Sequence, residues 1–143
     1  MIITANYDIH AATIASLMVS AVECGAISYW CSSVYPVRPG TQTPDRNALK
    51  CGHHWYSEEG VYSDTQLWKW NIAFETPEPP KDGGPTVYML TQEAMRDGLN
   101  KMANSKQDGV RARFMEIVGG TDCDNVTADV FVQMCLFGEL IYG

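Results

Sequence analysis

Two stretches of this chain carry residues able to do chemistry. Cys51-Gly52-His53-His54-Trp55-Tyr56 is the only place where histidines cluster. A thiol with an imidazole beside it suits either a metal or a nucleophile–base pair. In an extended segment, His53 and His54 point to opposite sides and cannot share one ion. Cys51 with His53 still needs two distant ligands, and a thiolate needs an electropositive setting and an orienting group that no nearby residue supplies. The segment therefore reads as an ordered polar loop with two aromatics. No metal and no cofactor is implied.

The second stretch is aromatic. Tyr29, Trp30, Trp55, Tyr56, Tyr62, Trp68, Trp70 and Phe74 all fall in the first 75 residues. One reading makes them core filling, with polar tips reaching a partner. The other makes them a stacking platform, since a base stacked on an aromatic ring gains ~1–3 kcal/mol. Trp68 and Trp70 alternate with Lys69 and Asn71, so an extended segment sends indoles one way and polar groups the other. Asn71 suits the edge of a base, and Lys69 or Arg38 suits a phosphate. The candidate ligand-binding set is Tyr29, Trp30, Arg38, Trp68, Lys69, Trp70 and Asn71. Arg111 and Arg113 stand about 200° apart on a helix and make no fork. Gly83-Gly84 and Gly119-Gly120 lack the spacing of a phosphate loop.

Composition bounds what these residues serve. The chain has 143 residues, 45% of them apolar and 19% charged, which suits one globular domain over 1–143 with a real core. Its net charge of −7, from scattered acids, argues against nonspecific nucleic-acid binding. Five cysteines, odd in number and without Cys-x-x-Cys, point to free thiols in a reducing cytosol. No stretch approaches the ~20 apolar residues of a membrane span, and no basic leader opens the chain.

The elements that position the candidates are legible in outline. Residues 8–24 read as a buried helix, capped by Asp8 and closed at Gly25. Residues 27–35 read as a strand ended by Pro36 and Pro39-Gly40. Residues 36–60, rich in Pro and Gly, read as a long loop or insertion. Residues 61–75 contain the clearest strand, with Trp68, Trp70, Ile72 and Phe74 on one face, and 61–90 reads as a hairpin. Helices follow at about 92–104 after Thr91, at 107–118 before Gly119-Gly120, and from Asp124 or Thr127 through Ile141. This order gives an α+β fold, an antiparallel sheet with N-terminal and C-terminal helices packed on one face. The final residues are expected to pack into that fold.

The two ends also carry a resemblance. Glu23-Cys24-Gly25-Ala26-Ile27-Ser28-Tyr29-Trp30, paired with Phe137-Gly138-Glu139-Leu140-Ile141-Tyr142-Gly143, resembles a family of small uncharacterised bacteriophage proteins. In that family the first motif often reads Glu-Gly-Gly-x-x-Tyr-Trp, and Cys24 here replaces its first Gly. The resemblance covers roughly the first 35 and last 20 residues. It implies a viral origin and a compact α+β fold, and no established activity. The combined expectation is a small phage accessory protein of the host cytosol, more a binder than an enzyme, that sequesters a small nucleotide immune signal to counter host defence. Homo-oligomers are expected, because Gly138 and the aromatics beside it suit a subunit contact. Two alternatives stand beside it: an inhibitor that binds a host protein, and a small hydrolase of a nucleotide signal using His53 or His54 as base.

Overall fold

The computed structural model describes residues 7–50, 55–63, 66–120 and 123–143. Helix α1 spans Ala11–Val22, and Gly25 beyond it takes a φ of +75° that favours glycine. The chain then makes a compact turn rather than a strand. Ser28 N donates to Gly25 O, and Trp30 N and Cys31 N both donate to Ile27 O. Strand β1 starts only at Ser33 and runs to Val37. The strand expected over 27–35 is corrected accordingly: the turn set up by Gly25 uses the backbone groups that a ladder would need. Pro36 lies inside β1 instead of ending it. β1 is an edge strand, and Pro36 stands opposite Ile72 at a position whose missing N–H faces away from the sheet.

The expected loop over 36–60 is partly built. Val37 bridges to Pro44, and Asp45 N donates to Pro36 O. Helix α2, Arg46–Leu49, is capped by Asp45, whose Oδ1 accepts from Asn47 N and Ala48 N. A single 3-10 turn follows at Glu59–Tyr62. Strand β2 is short, Asn71–Glu75, and residues 66–70 lie outside it. The strand expected within 61–75 starts only at Asn71 and leaves out Trp68 and Trp70: β1 turns away after Val37 through Thr41 N to Arg38 O, so among the described residues no strand pairs with 68–70.

Strand β3, Val87–Leu90, completes an antiparallel sheet of order β1-β2-β3. Register places Val34, Phe74 and Tyr88 in one row and Pro36, Ile72 and Leu90 in the next, all on one face. Helices α1 and α5 pack on the sheet, as expected. Phe137 of α5 meets Tyr88 edge to face at 4.8 Å between centroids.

Helix α3 spans Gln92–Ala103 with Thr91 Oγ1 accepting from Ala94 N, α4 spans Asp108–Gly119 and α5 spans Asn125–Phe137. Gly120 and Gly138 end the last two in the left-handed conformation. The terminal helix therefore stops before Leu140 and Ile141. α3 and α5 cross closely at Gly98, where an added Cβ would lie 2.5 Å from Cys135 Cα. Cys31 and Cys135 are buried free thiols, while Cys24 is exposed.

Candidate functional site

The two end motifs meet in space. Trp30 stacks on Tyr142, with ring planes 4° apart and centroids at 5.2 Å, and Phe137 closes on Trp30 at 5.5 Å. Asp129 of α5 ties the first motif down. Its Oδ2 accepts from the Tyr29 hydroxyl at 2.5 Å, and its Oδ1 accepts from Trp30 Nε1 at 2.8 Å and Gln133 Nε2 at 2.9 Å. Gln133 ties the second. Its Oε1 accepts from Ile141 N and Tyr142 N, both at 2.9 Å, and its Nε2 donates to Tyr142 O. Asn125 Nδ2 adds a bond to Cys24 O.

This cluster is built for rigidity. Three donors on one carboxylate lock Tyr29, Trp30 and Gln133 to a single point on α5. Burial, then the Asp129 carboxylate, push the Tyr29 hydroxyl up to about 12, so it stays a protonated donor at neutral pH. Trp30 is enclosed between Tyr142 and Phe137, whereas the Tyr29 ring is 59% exposed.

A second aromatic cluster lies along 55–70. The Tyr56 hydroxyl donates to Glu23 Oε1 at 2.5 Å, and the Tyr62 hydroxyl donates to Tyr56 O. Burial raises both phenols, Tyr56 with the help of the Glu23 carboxylate. Tyr62 meets Trp68 edge to face at 5.5 Å. Gln92 Nε2 holds the chain just before the indoles by donating to Ser63 O and Gln66 O. Lys69 Nζ sits 5.8 Å from the Trp70 ring centroid and 3.7 Å from Glu58 Oε2.

The candidate residues thus fall into two groups. Ser33 pairs with Glu75 at one end of the β1–β2 ladder, and Tyr29 and Trp30 precede that end. Val37 pairs with Asn71 at the other end, where Arg38, exposed, leaves β1 and Trp70 enters β2. Four strand steps of ~3.4 Å, about 14 Å, separate the ends. Trp68, Lys69, Trp70, Asn71 and Arg38 share one end of the sheet; Tyr29 and Trp30 do not join them. Trp30, Trp68 and Trp70 are all buried, so none offers an open ring face for stacking.

Trp68 and Trp70 carry the unexplained polarity of the structure. They are 6% and 9% exposed, and neither indole Nε1 has a hydrogen-bond partner among the described residues. Trp30, by contrast, spends its Nε1 on Asp129. A buried donor left unpaired costs about 1–3 kcal/mol. Alternation in the sequence singled out these two indoles by their faces; their N–H edges gave no signal there.

Sequence reasoning did not reach Asp129 or Gln133. Both look like ordinary members of the α5 pattern, and only the fold brings them under Trp30 and Tyr142. A groove of about 520 Å³ also runs along α1, lined by Thr13, Ser16, Ser20, Ser57, Glu59 and Cys123. Among the described residues its lining carries hydroxyls, one carboxylate and no basic side chain. No group of three or more His, Cys, Asp or Glu able to hold a metal occurs among the described residues. Cys51, His53 and His54 lie outside them. Comparison with protein-family models, curated proteins and solved structures returns no match.

Proposed function

We propose that this chain is a small bacteriophage accessory protein that acts by binding, and that its cargo is a small nucleotide-type signal of host defence, which it sequesters intact. One observation carries the reading: Trp68 and Trp70 hold two buried N–H donors without acceptors, in the segment that also presents Lys69 and Asn71. An acceptor-rich anionic guest supplies what those donors lack, and Lys69, with its side chain 64% exposed, supplies a counter-charge. The guest is read by the edges of the indoles rather than by their faces.

Native mass spectrometry of protein purified from infected cells tests the reading. The expected spectrum shows an added mass in the nucleotide range, released unchanged on heat denaturation. Cyclic nucleotides added to the purified protein raise its melting temperature, and Lys69→Ala shrinks that rise. No retained mass, together with no thermal shift across a cyclic-nucleotide panel, overturns it. A released molecule that has been cleaved favours hydrolysis instead. Leu67, 90% exposed beside this segment, supports the second reading of a host-protein contact. Co-purification of one stoichiometric host protein, abolished by Leu67→Asp, marks that case.

A further inference from the structure

β3 is an edge strand whose outer side pairs with no strand among the described residues. In the β2–β3 ladder, Thr76 N donates to Thr86 O, so the bonded pairs continue as Phe74 with Tyr88 and Ile72 with Leu90. Val87 and Met89 fall between them, and their N–H and C=O groups point away from β2. Neither residue has a backbone partner on that side among the described residues. The opposite edge is guarded: Pro36 removes a donor from β1, and Asp45 N occupies the Pro36 carbonyl. Among the described residues, β3 has no such guard. Val87-Tyr88-Met89-Leu90 contains no charge, no proline and no glycine, and Val87 is 40% exposed. Natural edge strands that stay unpaired carry lysine, proline or a bulge.

We propose that the β3 edge pairs with the β3 edge of a second copy, antiparallel about a two-fold axis through Tyr88. The geometry is self-complementary. Val87 of one copy faces Met89 of the other, each pair exchanges both backbone bonds, and the axis generates the second pair from the first. On the face away from the helices, Val87 and Met89 then stand beside the same two side chains of the other copy, an apolar cross-strand contact. The seam itself is uncharged, so two molecules of net charge −7 meet where neither presents a carboxylate on the strand. The result is one continuous six-stranded sheet, independent of whether the chain captures a nucleotide.

Sedimentation equilibrium and amide exchange test this together. The wild-type chain is expected to dimerise in the micromolar range. Val87→Lys puts a charge on an exposed position of the seam and is expected to leave a monomer that melts like the wild type. The Val87 and Met89 amides exchange slowly in the concentrated wild-type protein and quickly on dilution, while the Tyr88 amide, bonded within the sheet, is slow in both. A wild-type chain that remains monomeric through that range overturns the proposal. So does a dimer that Val87→Lys leaves intact with the Val87 and Met89 amides exchanging freely. If Val87→Lys unfolds the chain, the concentration dependence of the two amides decides alone.

Discussion

Trp30 and Tyr142 stack face to face from opposite ends of the chain, with 4° between their ring planes. In both halves the stacked ring follows a glycine closely: Trp30 stands five residues after Gly25, and Tyr142 four after Gly138. Gly138 ends α5 and Gly25 turns the chain just beyond α1, both at positive φ, so that one ring can reach the other. Gln133, 1% exposed, holds the second half of that arrangement by accepting from Ile141 N and Tyr142 N.

Gln133→Leu therefore leaves two backbone donors and the Tyr142 carbonyl without partners. The expected loss is about 2 kcal/mol in a urea titration, with a change in Trp30 fluorescence that precedes global unfolding. A variant as stable as the wild type means that water replaces the amide at no cost, and the tail is not held as described.

Gly98 is the one position where α3 and α5 demand glycine. A Cβ there would meet the Cys135 backbone at 2.5 and 2.8 Å, and a helix backbone cannot give way as a flexible side chain can. Helix propensity alone favours Gly98→Ala by roughly 1 kcal/mol. Overpacking of a close helix crossing costs about 1–3 kcal/mol or more, so the net effect is destabilising. A rise in melting temperature for Gly98→Ala contradicts the close crossing.

These cases show what could be read from the chain and what could not. The α+β order, the Thr91 cap and the stop at Gly119-Gly120 depend on local chemistry and were legible, while the choice between Asp124 and Thr127 as the last cap needed the fold, which takes Asp124. Strand extents were not, because β-strand length depends on a partner: 68–70 has the alternation of a strand, but β1 turns away after Val37. The pattern also placed Tyr29 and Trp30 with Trp68 and Trp70 because all are aromatic. Ladder register separates them, and register is not a property of either segment alone. Asp129 and Gln133 were invisible because a polar residue on an apolar helix face gains meaning only from what lies opposite. Gly98 gave no signal for the same reason.

Thiol accessibility checks the packing from another side. Cys24 is exposed, while Cys31 and Cys135 are buried. Burial pushes the Cys135 thiol far up and raises Cys31 as well, so both lack the thiolate that reacts. Maleimide is expected to label Cys24 within the mixing time and to reach Cys135 only at the rate of unfolding. Peptide mapping after a short pulse separates the sites. Prompt native-state labelling of Cys135 contradicts its enclosure between α3 and α5.

The Tyr29–Asp129 bond makes a prediction about alkaline stability whose sign can be worked out. Burial, then Asp129, raise the folded Tyr29 hydroxyl to about 12, above its ordinary value near 10. Below pH 10 both folded and unfolded states keep the proton, and the bond contributes fully. Between pH 10 and 12 the unfolded state releases the proton more readily, so the folded state binds more protons and stability falls as pH rises. Tyr56 and Tyr62, raised in the same direction, add to the slope. Tyr29→Phe is therefore expected to be less stable than the wild type at pH 8, with the gap narrowing by pH 11 as the wild type loses what the variant never had. Urea titrations of both proteins at the two pH values read it directly. A gap that stays constant shows that folding does not raise the Tyr29 hydroxyl, and a gap that widens reverses the sign of the linkage.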